Sequence, residues 1–280
     1  MKNKYLLTLA LITGICKLGT AQQLVSAWYT FTTSTSTYAA ITGSTLGTSA
    51  NNDDTFNNVP LGFTFNFAQT NLTTISVNAN GYIKMGATLN NYSYGPIDDP
   101  GGDDSLICAM GTDIASNAAG VLSYTTTGTS PNRIFTIQWS NYTSGGGTDN
   151  LNFQIKLYET SNKIDVIYGS MTLSQYSSSE VGLRGGSPND FNNRSVQNGT
   201  NTWATSVAGT NNTAYCELDP GPPVFKPASG RKYTWNPPPA CTGTPTAGTA
   251  ASTSGSLACV GQSLSIAVTG SSFASGLSYQ

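Results

Sequence analysis

Apolar and polar residues exchange places at every second position in run after run of this chain, and that period admits one kind of element. Phe63, Phe65 and Phe67 are separated by Thr64 and Asn66, and Ile75, Val77 and Ala79 by Ser76 and Asn78. Phe135, Ile137 and Trp139 alternate in the same way with Thr136 and Gln138. Period two gives a strand one apolar and one polar face, whereas a helix needs apolar residues three and four apart. No convincing amphipathic helix pattern competes with it. The alternation predicts a hairpin over 151–169, turning at 159–163, and a second one around Asn80-Gly81, a pair that tolerates positive φ. Further strands are expected at 28–33, 107–114, 121–125, 181–184 and 231–235. About a dozen short strands divided by Gly, Asn and Ser turns indicate an all-β fold, an antiparallel, jelly-roll-like β-sandwich. The polar stretches 42–58, 87–105 and 187–212 are expected to be loops at the ends of that sandwich, where binding residues gather.

The ends of the chain set its organisation. Lys2 and Lys4, a short apolar run over 5–15 and the small residues Gly19-Thr20-Ala21 read as a cleaved secretory signal peptide over 1–21. Ile15 before Cys16 does not fit a lipoprotein cleavage site. The apolar run is too short to span a bilayer, and no transmembrane segment is expected elsewhere. The β-sandwich domain then occupies 22–236. A proline hinge is expected at 237–240, and a second β module is expected to start at Cys241 and to be incomplete at Gln280. The expected location is extracellular or on the outer cell surface.

Charge and cysteine content agree with export. Without Lys2, Lys4 and Lys17, nine basic residues face 14 acidic ones, a net charge of −5 that leaves no basic tract for nucleic acid. The four remaining cysteines are Cys108, Cys216, Cys241 and Cys259, an even number suited to disulfides in an oxidising compartment. Of three connectivities, the favoured one joins Cys108 to Cys216 and Cys241 to Cys259, one bridge per module. A zinc site is disfavoured because the chain has no histidine and no C-x-x-C spacing.

Several of these runs, taken in order, resemble a known family. The segment from Val59-Pro60-Leu61-Gly62-Phe63 to Phe67, followed by Ile75-Ser76-Val77-Asn78-Ala79-Asn80-Gly81-Tyr82-Ile83, is similar to the opening of a nidogen-like β domain. Runs 130–139 and 152–159 continue the likeness, and 227–235 resembles its closing strand. The tail from Cys241 past Cys259 is similar to the start of an Ig-like or fibronectin-type module. The resemblance implies a Bacteroidetes-type secreted or surface protein of the kind that often ends in a type IX secretion sorting domain. Members of that family often carry a tryptophan and paired aspartates after the strand equivalent to 106–110. Gly111-Thr112-Asp113-Ile114 keeps a single acidic residue, which departs from that pattern.

Catalysis is hard to assemble from this inventory, and no enzyme activity is expected. No Ser-His-Asp or Cys-His arrangement exists without histidine, and nothing brings two of Glu159, Glu180 and Glu217 to one cleft. The most distinctive polar run is Asp98-Asp99-Pro100-Gly101-Gly102-Asp103-Asp104. Four carboxylates so close repel one another, which makes Asp98, Asp99, Asp103 and Asp104 a candidate calcium loop, with Asp53-Asp54 as possible contributors, set against the plainer reading of a solvated acidic turn. No other cofactor is expected. Tyr92, Tyr94, Tyr142 and Tyr176 are candidates for stacking on sugar rings, with cross-strand packing as the alternative, and Trp28, Trp139, Trp203 and Trp235 read as packing residues. The function so indicated is a non-enzymatic surface module that binds a glycan or protein partner through loops. Two alternatives are an accessory module of a secreted hydrolase and a structural spacer.

Overall fold

The computed structural model describes residues 24–48 and 54–238, together with the backbone of two further strands at Thr249–Ser252 and Ile266–Thr269. After one helical turn at Val25–Trp28 (α1), the chain is built from antiparallel ladders. A seven-stranded sheet has the order β1 (Thr30–Thr35), β15 (Arg231–Asn236), β10 (Ile164–Tyr168), β9 (Leu151–Tyr158), β8 (Ile134–Ser144), β7 (Ile114–Thr127), β2 (Ser44–Thr48). An eight-stranded sheet runs β13 (Val207–Ala208), β12 (Phe191–Ser195), β11 (Ser177–Arg184), β6 (Leu106–Gly111), β5 (Tyr82–Met85), β4 (Thr70–Asn78), β3 (Thr55–Phe67), and β14 (Cys216–Leu218) also pairs with β11. β3 to β6 and β7 to β10 are each sequential neighbours, so every sheet contains a meander, and the chain passes between the meanders through Thr112-Asp113. β16 (Thr249–Ser252) and β17 (Ile266–Thr269) form a separate antiparallel pair.

The alternating runs lie as their period requires. Phe65, Ile75, Val77 and Ile83 from one sheet meet Phe135, Ile137, Trp139 and Phe153 from the other in one buried cluster. Trp139 stacks on its cross-strand partner Phe153, with ring centroids 5.0 Å apart and planes 15° from parallel. Two polar tips also span the core. The Trp139 indole N–H donates to the Ala79 carbonyl at 3.1 Å, and the Tyr168 hydroxyl donates to the Ala109 carbonyl at 2.8 Å. A buried indole or phenol finds such a partner because leaving its polar atom unpaired costs about 1–3 kcal/mol. Both expected hairpins form, β4–β5 and β9–β10. Gly81 takes φ +81° in the first of them, and a Cβ there would stand 2.3 Å from the Met110 carbonyl oxygen.

Two of the polar stretches are not wholly loops. Region 42–58 contains β2 and the start of β3, and region 187–212 contains β12 and β13. Their strands lie at or near sheet margins, where burial is partial and the apolar half of the alternation is weak. The third stretch is an irregular segment, but it does not project from an end of the sandwich; it lies across the outer face of the eight-stranded sheet.

Candidate functional site

Alternation supplies that outer face with its side chains. Ile83, Ile107, Val181 and Leu183 point into the main core, so Tyr82, Lys84, Leu106, Cys108, Glu180 and Arg184 point the other way. Such a face ordinarily meets water. Here segment 86–105 folds over it, and Leu89 and Ile97 close a second, smaller apolar cluster with Tyr82, Leu106 and Cys108.

Arg184 is the centre of this arrangement, with only 1% of its surface exposed. Its Nε and Nη2 donate to one Asp104 carboxylate oxygen at 3.0 and 2.8 Å. Nη1 donates to the carbonyl oxygens of Asp99 at 2.6 Å and Pro96 at 3.1 Å, and Nη2 also reaches that of Gly102 at 3.3 Å. A buried cation destabilises a fold unless its charge and every donor are matched. One carboxylate and several carbonyls match this one, an oxygen set of the type a hard cation would otherwise gather.

The other acidic residues of the run have separate partners. Asp103 accepts the backbone N–H groups of Asn90 and Asn91 at 2.7 and 2.9 Å, with the Lys84 ammonium 4.0 Å away. Asp99 accepts the Gly101 N–H at 2.9 Å within its own turn. Asp98 faces inward beside Gly95, where a Cβ would lie 2.9 Å from its carboxylate and 3.7 Å from that of Glu180. Glu180 is buried on β11 and accepts the Ile97 N–H at 2.5 Å. Burial pushes its acid up to about 8; the Ile97 N–H opposes that shift, and the neighbouring Asp98 charge adds to it. Asp98 is itself raised, first by burial and then by Asp99. Among the described residues, no group of three or more His, Cys, Asp or Glu side chains converges as a metal site. Asp53 lies outside the described residues.

The clamped segment presents Tyr92 and Tyr94 to solvent, 59% and 48% exposed, with ring centroids 5.9 Å apart and planes at 70°. Between them, the Ser93 N–H donates to the Tyr82 hydroxyl at 3.1 Å, so the pair stands on a fixed backbone. The other stacking candidates separate from it. Tyr142 is buried in the main core, and the exposed Tyr176 donates its hydroxyl to Glu217 at 3.1 Å. Trp139, Trp203 and Trp235 are buried and Trp28 packs against the core, so all four act as packing residues.

The Cys108–Cys216 bridge is not formed. Both thiols are free and fully buried, Cys108 in the outer cluster and Cys216 in the main core. Sheet alternation places them on different faces, so no change of rotamer joins them. Burial is the leading cause of the raised pKa of each, which keeps both protonated. Cys241 and Cys259 lie outside the described residues.

Arg184 and Glu180 are the site residues that sequence reasoning missed. Both sit on the polar side of an alternating strand, which marks a solvated position unless something covers it. Another conspicuous ion pair serves a different corner. Arg133 forks onto Glu159 at 2.8 and 2.6 Å and donates to the Gly62 carbonyl, bracing the 159–163 turn against an irregular stretch of β3. An open groove of about 510 Å³ runs beside this pair. Glu159, held down to about 2 by the guanidinium, is a fixed carboxylate rather than an acid–base group.

The two-sheet sandwich with one covered, arginine-clamped face defines an all-β module. The chain matches the family model described as NIDO related over residues 28–237, and it belongs to that family. The matched span runs from the end of α1 to just past β15, so the two sheets are the nidogen-like domain. No curated protein and no solved structure matches the chain.

Proposed function

We propose that this chain is a non-enzymatic interaction module of a secreted or surface-displayed protein, and that it recognises a glycan through the clamped segment 86–105. The observation that carries the reading is the exposed Tyr92–Tyr94 pair on a backbone fixed by Arg184, Asp103 and Tyr82. Aromatic faces pack against the C–H faces of sugar rings, and a loop already ordered loses little entropy on binding. Export is supported by the basic, apolar and small-residue succession at the N-terminus. Arg184 supplies the positive charge that the acidic run needs, so the segment is read as organised by a guanidinium and not by calcium.

A glycan array probed with the full chain tests the proposal. A hit that Tyr92→Ala/Tyr94→Ala weakens by about tenfold or more supports it, a loss typical of aromatic anchors at binding sites. A blank array sinks the glycan reading and favours a protein partner or a spacer role.

A further inference from the structure

The seven-stranded sheet also has an outer face, and its charges are arranged unusually for so acidic a chain. Asp165 on β10 is almost fully buried there and accepts hydrogen bonds from the Tyr158 and Thr234 hydroxyls at 2.8 and 2.6 Å. The Lys163 and Lys232 ammonium groups lie 3.3 and 3.9 Å from the same carboxylate. Lys156 is the direct cross-strand partner of Asp165 on β9, so a third lysine adjoins this carboxylate on the same face without pairing with it. Among the described residues, no other carboxylate comes within 4 Å of any of them.

Lys156 is the residue left over. It is partly buried, and among the described residues its ammonium makes no hydrogen bond and no ion pair within 4 Å. Burial lowers its pKa, Asp165 opposes that shift, and Lys232 adds to it. A cation so placed gains from any anion that approaches from solvent. Beside the cluster, cross-strand pairing sets Ser34 next to Lys232 and Thr32 next to Thr234, so exposed hydroxyls border the charges.

We propose that this face, centred on Lys156, Lys163 and Lys232, binds an acidic polysaccharide through the carboxylates of its sugars. The cluster already holds one carboxylate between ammonium and hydroxyl groups, and a second would complete the surroundings of Lys156 in the same way. A nucleic acid fits less well, because its dense phosphates would run from this patch onto a surface that is acidic overall, 14 acidic residues against 12 basic ones. The site is independent of Tyr92 and Tyr94, which stand over the opposite sheet.

Titration of the full chain with polygalacturonate, and with neutral dextran and duplex DNA in parallel, decides the matter. Polygalacturonate binds, weakens as salt rises toward physiological strength, and loses about tenfold or more in affinity in Lys156→Gln/Lys232→Gln. Lys156→Arg, which keeps the charge, retains binding, and so does Tyr92→Ala/Tyr94→Ala. An unchanged circular-dichroism spectrum of the glutamine variant at the assay temperature ties the loss to charge and not to unfolding. Absence of polygalacturonate binding, binding indifferent to the double substitution, or a preference for DNA overturns the proposal.

Discussion

Glu180 shows how one covered side chain makes the stability of this protein depend on pH. In the fold it holds its proton up to about pH 8, against an ordinary value of 4.5. Between those values the native state binds a proton that the unfolded chain has released, so stability falls as pH rises through the window and levels off above it. Each pH unit of the window is worth about 1.4 kcal/mol. Glu180→Gln keeps an uncharged acceptor for the Ile97 N–H and removes the slope. The variant should match wild type below about pH 4 and exceed it by a few kcal/mol at pH 8 in urea melts. A constant difference across that range would show that Glu180 does not carry the effect. The expected strand at 181–184 left Glu180 beside its start and gave neither Glu180 nor Arg184 a role; in the fold both lie on the face of β11 opposite Val181 and Leu183. That this face lies under 86–105 was not legible, because the covering residues are far away in the chain.

At the scale of the element, the acidic run is the instructive case. Four aspartates in seven residues suggested a calcium loop, yet Asp104 and the carbonyls of Pro96, Asp99 and Gly102 converge on Arg184 while Asp103 caps backbone N–H groups. Thermal midpoints with calcium and with a chelator should therefore coincide. Arg184→Gln should lower the midpoint under both conditions by leaving the carbonyls of Pro96, Asp99 and Gly102 without their donor, a loss of about 1–3 kcal/mol. A midpoint raised by calcium in wild type would favour the calcium reading over the guanidinium one. Hairpins were far easier to read. The β4–β5 turn carries Asn80-Gly81, and its glycine meets the Met110 carbonyl where no Cβ fits. The β3–β4 turn escaped notice because Ala68 and Gln69 adopt positive φ without a glycine to announce it. β2 was hidden in a polar stretch for a different reason: it pairs only with β7 at the edge of its sheet and buries little.

For the whole molecule, the division of the two sheets' side chains into an inner core and an outer cluster decides the state of the thiols. Cys108 and Cys216 should resist alkylation in the native full chain and react with an alkylating agent in denaturant without any reductant, each recovered as a labelled peptide. A peptide pair joined through Cys108 and Cys216 would contradict the placement. The sequence by itself determined the all-β class, the strands of the main core, the nidogen-like span and the packing role of the tryptophans, because those follow from a local period and from the size of buried side chains. It could not tell which polar faces are covered, which carboxylates meet which cation, or whether two cysteines share a face. Those depend on residues as distant as Asp104 and Arg184 being brought together. Only closing the sandwich and folding 86–105 over its outer face does that, by removing from water groups that the sequence alone would leave solvated.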